Sequence, residues 1–476
     1  MSDAPTRNII TPLIVACALF MEQLDGSIIA TALPTISRSL HTDPLHLNLA
    51  ITSYLFSLAV FIPLSGWLAD RVGARTIFRA AIIVFTIGSL ACGFSNSLLT
   101  LILSRMLQGL GGAMMVPVGR LVLLRTIPKS QLVDAMAWVA APALIGPVLG
   151  PPIGGFIVTY ASWRWIFFVN LPIGVLGVLL ATFYIDDIRG RTREPLDKMG
   201  FILMGLSLAG MVFGFETVGR HLLPTEAVIG FIIGGIICFF VYLWHTKRIQ
   251  HPIIDLSLLK YQTYRASIVG GSLTRIGIGA MPFLLPLMLQ YGFGLTPAAS
   301  GFITFASAAG AILMKICATP VIRAIGFKPI LVFNSLINAV FLAGCALFTP
   351  ETPHSGIFVF LLIGGFFRSL QFTALNTIAF AEIPTALLSR ANTFYNMMQQ
   401  LTLSLGVAVG AFLLNLSLSW HKQTSLGAND FWPAFLGISV MSLLAAINFL
   451  PLPAHAGAEM SGHVVPAKES EHKDPM

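Results

Sequence analysis

Glu22 and Asp25 stand three residues apart in a run that is otherwise mostly apolar from residue 9 to residue 33. Three residues apart on a helix means one shared face. An ionisable group inside a bilayer costs about 2.5 to 3.5 kcal/mol even on insertion scales, so such a group marks function by default. Arg105 sits in a second apolar run, 99–124. The chemistry these three types offer is reversible protonation: apolar burial favours a neutral carboxyl, and a neighbouring guanidinium favours the carboxylate. At the helical rise, Asp25 lies about 12 Å and Arg105 about 9 Å from the outer ends of their helices, so the two share a depth. Asp25 is the expected proton carrier, Glu22 the second candidate and Arg105 the switch. The alternative is a static polar lock between helices.

Further charges lie in the second half of the chain. Arg275 shares a helix face with Gly271, Gly279, Pro282 and Pro286 and stands roughly 15 Å from the inner helix end, near the midplane. Arg368 is similarly central in its run, with Gly364, Gln371 and Leu375 on its face. Neither arginine has an evident acid in its own half. They favour an anionic or zwitterionic solute through charge-assisted hydrogen bonds, or else pair with Glu22, Asp25 or helix C-terminal carbonyls. Asn392, Asn396 and Gln399 make a polar stripe at i, i+4 and i+7 spacing, which lines a wet cavity or holds helices together. With Gln108, one turn from Arg105, these residues form the candidate substrate set. Lys315 and Arg120 lie nearer the cytoplasmic ends and are expected to snorkel.

No catalytic constellation accompanies them. Cys17, Cys92, Cys238, Cys317 and Cys345 all fall in apolar runs without CxxC spacing, which argues for packing residues rather than a disulfide framework or a metal site. The histidines lie mainly in loops and at helix ends, and no GxxxxGK[ST] occurs, so neither a membrane enzyme nor an ATP-driven pump is expected, and no cofactor.

The elements that must carry these residues are membrane helices. Of the 476 residues, 56% are hydrophobic and 10% charged, against about 25% charged in soluble domains. Runs of about 20 mostly apolar residues suit a hydrocarbon core about 30 Å thick, and backbone satisfaction in lipid makes them helices. Fourteen are expected: 9–33, 48–69, 77–97, 99–124, 132–157, 166–184, 199–216, 226–245, 265–291, 297–319, 329–349, 356–380, 386–415 and 431–451. The first is too long for a signal-peptide core and stays as an anchor. With both termini cytoplasmic, 19 of the 28 Lys and Arg fall in cytoplasmic segments, while the outside loops hold Arg38, Arg164, Arg220 and Lys422. That alternation is what the positive-inside rule demands. It also accounts for the net charge of +8 without a nucleic-acid partner.

The loop after the second span carries Gly73 and Arg75, and the loop after the tenth carries Gly326 and Lys328 at matching places. The chain therefore reads as two six-helix halves with two inserted helices, and related halves around a midplane site are how many secondary transporters are built.

Five motifs now carry a family resemblance over nearly the whole chain. Residues 66–75, with Gly66, Asp70, Arg71, Gly73 and Arg75, resemble the loop motif of the major facilitator superfamily, whose charge network stabilises one transport state. Residues 101–113, with Arg105, Gln108, Gly109 and Gly112, resemble its fourth-helix motif, whose Arg is implicated in proton coupling. Residues 146–155, with Gly146, Pro147, Gly150, Pro151, Gly154 and Gly155, resemble the fifth-helix motif of exporters; these Gly and Pro set a hinge rather than touch ligand. Residues 24–34 and 163–172 look like signatures of the fourteen-span drug:proton antiporter branch.

The resulting expectation is an all-α integral membrane protein with a leader 1–8, a bundle 9–187, inserted helices and linkers 188–264, a bundle 265–453 and a mobile cytoplasmic tail 454–476. The resemblance implies a proton-coupled antiporter that exports small amphiphilic molecules or drugs across a bacterial-type inner membrane as a monomer. The arginines point to the alternative, a dedicated exporter of an organic anion or metal chelate. A solute sensor that binds without transport is the third class.

Overall fold

The computed structural model describes residues 4–126, 132–185, 195–217, 224–249, 252–384, 387–421, 426–453 and 456–461. Among them the chain is helical and contains no strand. The first half comprises α1 (Ala4–Ser39), α2 (Asn48–Val72), α3 (Ala74–Gly93), α4 (Leu98–Thr126), α5 (Leu132–Tyr160), a short α6 (Trp165–Phe168) and α7 (Asn170–Tyr184). A hairpin follows, α8 (Lys198–Thr217) and α9 (Thr225–Thr246). The second half comprises α10 (Gln262–Leu287), α11 (Pro297–Ile325), α12 (Phe327–Cys345), α13 (His354–Ile378), α14 (Leu388–His421) and α15 (Phe431–Phe449).

Among the described residues, twelve segments are long and apolar enough to cross a membrane, and shorter apolar stretches, Ile145–Tyr160 and Lys198–Gly214, lie in α5 and α8. The count of fourteen spans rests on those two as well. The single sixth span expected over 166–184 runs over Trp165–Tyr184. Pro172 has no N–H to offer the carbonyl of Phe168, so one helical hydrogen bond is missing between α6 and α7, while Val169 keeps helical angles, φ −59° and ψ −25°. A four-residue helix, α16 (Ala458–Ser461), stands in the expected tail, and residues 462–476 lie outside the described residues.

Helices α1 to α7 pack among themselves, as do α10 to α15, and the halves meet where α5 lies on α11 and α2 on α14. The second and fifth long helices of each half thus exchange partners, which is a two-fold arrangement. The repeat recurs in the joints: α2 meets α3 through Gly73 alone, at φ 113°, and α11 meets α12 through Gly326 alone, at φ 83°. Positive φ is the region where a Cβ collides with backbone, so each joint needs glycine.

Glycine also sets how close α1 and α5 come. A Cβ at Gly146 would lie 2.9 Å from Gln23 Cβ, at Gly150 1.9 Å from Ser27 Oγ, and at Gly154 2.6 Å from Thr31 Oγ1. These three, four residues apart, form one stripe along α5 that holds the helix bearing Asp25. On another side of α5, a Cβ at Gly155 would meet Pro297 O at 2.4 Å, and one at Gly301 would meet Pro151 O at 2.2 Å. One helix therefore touches both α1 and the opposite half.

The halves close over each other at the end of the bundle where α1 finishes. Gln290 Nε2 donates to Thr31 O at 3.0 Å, Tyr291 Oη to Pro34 O at 3.3 Å and Ala298 N to Thr159 Oγ1 at 3.0 Å. An apolar core including Ile29, Ala32 and Leu33 from one half and Leu284, Leu287 and Ala306 from the other fills the seam. Toward the opposite end, the hairpin packs into the other contact between halves: α8 lies against both α2 and α14, and Phe56, Leu208, Tyr242, Ile254 and Tyr395 share one core. Asp197 accepts from Gly200 N at 2.7 Å and lies 2.8 Å from His245 Nε2, while Tyr242 Oη donates to Ile254 O at 2.9 Å. Those bonds tie both ends of the hairpin to the linker that enters α10.

Candidate functional site

Helix α4 is drawn tightly between α2 and α3. A Cβ at Gly109 would lie 2.7 Å from Tyr54 O, one at Gly111 2.4 Å from Phe85 N, and Gly88 of α3 faces Gln108 backbone at 2.6 Å. This close packing brings Arg105 and Gln108, one turn apart on α4, against Asp25 on α1. Asp25 Oδ2 accepts from Arg105 Nη1 at 2.5 Å, and Asp25 Oδ1 accepts from Gln108 Nε2 at 2.7 Å and from Asn170 Nδ2 at 2.9 Å. Arg105 also donates from Nε to Ala50 O at 2.9 Å and from Nη1 to Gln108 Oε1 at 2.7 Å. Its guanidinium stands 4.2 Å from the Tyr54 ring centroid, a cation–π contact that strengthens out of water. Asn170 Nδ2 reaches Ser89 Oγ at 3.0 Å, and Ser89 donates to Phe167 O at 2.9 Å. Asp25 is 1% exposed and Arg105, Gln108 and Asn170 are 0% exposed.

The group is a buried ion pair braced by neutral amides. Asp25 Oδ1 accepts two hydrogen bonds and Oδ2 one, which leaves Oδ2 a lone pair on which a proton can settle. Arg105 Nη2 has no hydrogen-bond partner among the described residues, which leaves the guanidinium two N–H donors in hand. Glu22 stays outside this group. Its Oε2 is buried without a partner, as is Tyr54 Oη, and the charges it meets are Asp25 and Arg120.

The remaining expected residues divide. Gln108, placed by sequence among substrate contacts, belongs instead to the Asp25 cluster. Gln371 is fully buried against α12, where Nε2 donates to Ser335 Oγ at 2.8 Å and Oε1 accepts from Asn334 at 3.3 Å; it ties α13 to α12. Arg275 is buried, donates to Tyr395 Oη and Ser267 O, and lies 4.7 Å from the Tyr395 ring centroid. Its counterpart is thus a phenol, not an acid. Asn392, Asn396 and Gln399 are half-buried, and their side-chain amides make no hydrogen bond among the described residues. Arg368 also makes none and lines a cavity inside the second half.

In the loop motif, Arg75 Nη1 donates to Ile185 O beyond α7 at 3.3 Å and Arg71 stacks 5.2 Å from the Trp67 centroid. Asp70 is half-buried, and nothing lies within 4 Å of a Cβ built on Gly66. Lys315 is exposed and donates to Thr373 at 2.9 Å rather than standing alone; Arg120 is exposed.

Sequence reasoning missed Asn170, Tyr54, Ser89 and Tyr395. Asn170 stood inside the 163–172 signature as an amide at a helix start; Tyr54, Ser89 and Tyr395 carried no signal of their own.

A sequence profile described as the Major Facilitator Superfamily matches residues 15–261 and 267–464. A relative from Yersinia enterocolitica, named as a multidrug resistance protein, MdtD, is 37% identical over 454 residues, covering 93% of this chain and 95% of its own. A relative of the same name from Escherichia coli is 35% identical over 456 residues, covering 94% and 95%. Among solved structures, a D-xylose–proton symporter superposes with TM-score 0.68 at 13% identity, covering 94% of this chain and 98% of that one. A bacterial homologue of the human lysosomal transporter Spinster, inward-facing and unoccupied, gives 0.65 at 15%, covering 97% and 99%.

Proposed function

The chain belongs to the Major Facilitator Superfamily, and from that premise we propose that this multi-pass membrane transporter is a proton-coupled antiporter exporting small amphiphilic molecules or drugs from the cytoplasm by alternating access. The observation that carries the reading is the buried Asp25–Arg105 pair with Gln108 and Asn170 around it. A carboxylate whose counter-charge comes from another helix exchanges its proton when that helix moves. The names of the relatives support the substrate class.

In this reading both termini are cytoplasmic, as the Lys and Arg distribution favours, and the seam closed by Gln290 and Tyr291 faces outward. Substrate enters from the cytoplasmic side, where Asn392, Asn396 and Gln399 offer side-chain amides with no partner among the described residues. The inner membrane of a bacterium and a monomeric state complete the proposal.

The test is substrate-induced proton release from purified protein in weak buffer, comparing tetraphenylphosphonium as a lipophilic cation with benzoate as an organic anion. Release with the cation that disappears in Asp25→Asn is the expected result. Binding without release in the wild type overturns the coupling.

A further inference from the structure

Between α10, α11, α12, α13 and α15 the second half holds a partly open cavity of about 30 Å³, with Arg368 half-buried in its wall. That holds about two small occupants, since a water needs about 10–15 Å³. Apolar side chains such as Ile278, Leu342 and Phe360 form much of the wall. The polar remainder is rich in unsatisfied donors. Arg368 lines the cavity without a hydrogen bond or ion pair to the described protein, and the titratable group its charge meets is the Cys345 thiol rather than a carboxylate. Asn338 Nδ2 is buried with no partner. The hydroxyls of Ser307 and Ser442 line the same space and donate to no other group of the described protein.

A guanidinium at membrane depth requires an answering charge or a set of acceptors. Arg105 has Asp25 and Ala50 O, and Arg275 has Tyr395 and Ser267 O. Arg368 has a cavity. One cation and three neutral donors around a small space, with no carboxylate facing them, make the lining chemistry of an anion site.

We infer that this cavity binds a small monovalent inorganic anion of chloride size, held by Arg368 and Asn338 with the hydroxyls of Ser307 and Ser442. The narrowness of this space suits a resident ion at Arg368 rather than the transported molecule. This is independent of proton coupling at Asp25.

The test is the melting temperature of the detergent-purified full chain, with chloride replacing gluconate at constant ionic strength. A saturable rise is expected for the wild type with chloride and bromide, lost in Arg368→Gln, weakened in Asn338→Leu and retained in Lys315→Gln. No rise in the wild type, which would leave only waters in the cavity, overturns the inference, as does an equal rise in Arg368→Gln. If Arg368→Gln does not fold, bromide-soaked wild-type crystals decide: an anomalous peak beside Arg368 supports the site, and its absence refutes it.

Discussion

At the scale of the residue, Asp25 is held by three donors from two other helices. Replacing it by Asn leaves Arg105 buried without its counter-charge, and breaking such a pair costs about 3–5 kcal/mol. Asp25→Asn is therefore expected to lower the melting temperature as well as to abolish proton release, both readable on one preparation. Asn170→Ala is a milder probe: it removes one hydrogen bond to a charged group, worth about 1.5–3 kcal/mol. We expect it to fold, to bind substrate and to exchange protons more slowly than wild type; exchange at the wild-type rate would show that Asn170 only braces α7. Asp25 and Arg105 could be singled out in sequence because a charge inside an apolar run is costly whether it carries protons or locks helices together. Gln108, Asn170 and Gln371 were not, because neutral amides are tolerated throughout membrane helices and their partners are set by three-dimensional neighbours. Spacing on one helix placed Gln371 beside Arg368, yet the amide is used by Asn334 and Ser335 of α12.

At the scale of the element, α5 shows how a motif acts through shape. Gly146, Gly150 and Gly154 lie in one stripe on α1, and the missing side chains let the two helices approach. Gly150→Leu has no room beside Ser27 and is expected to leave no folded protein in a membrane extract. Gly150→Ala should fold poorly, since its Cβ must displace a hydroxyl 1.9 Å away. At the α2–α3 joint, Gly73→Ala meets φ 113° and should cost about 1–2 kcal/mol, seen as a lower melting temperature. The same joint at Gly326 was readable as a repeat from sequence, but its one-residue length was not, because helix ends cannot be located to that accuracy from hydropathy.

At the scale of the whole molecule, the two halves touch through α5 on α11 and α2 on α14, and alternating access requires these contacts to open in turn. Gly155 packs on Pro297 at the closed seam, so Gly155→Leu is expected to pry that end apart. A single cysteine at Ala306, buried in the seam, should then react faster with a membrane-impermeant maleimide added from outside; an unchanged rate would mean that the seam tolerates the larger side chain. The hairpin has a different consequence. Helix α8 rests on both α2 and α14, while α9 presents Ile229, Ile233, Ile237, Phe240 and Trp244 outward. A body leaning on two moving parts is pushed sideways whenever they slide, and its outer face must sweep through lipid. The hairpin would then work as an outrigger, and turnover in vesicles is expected to slow as the viscosity of the bilayer rises.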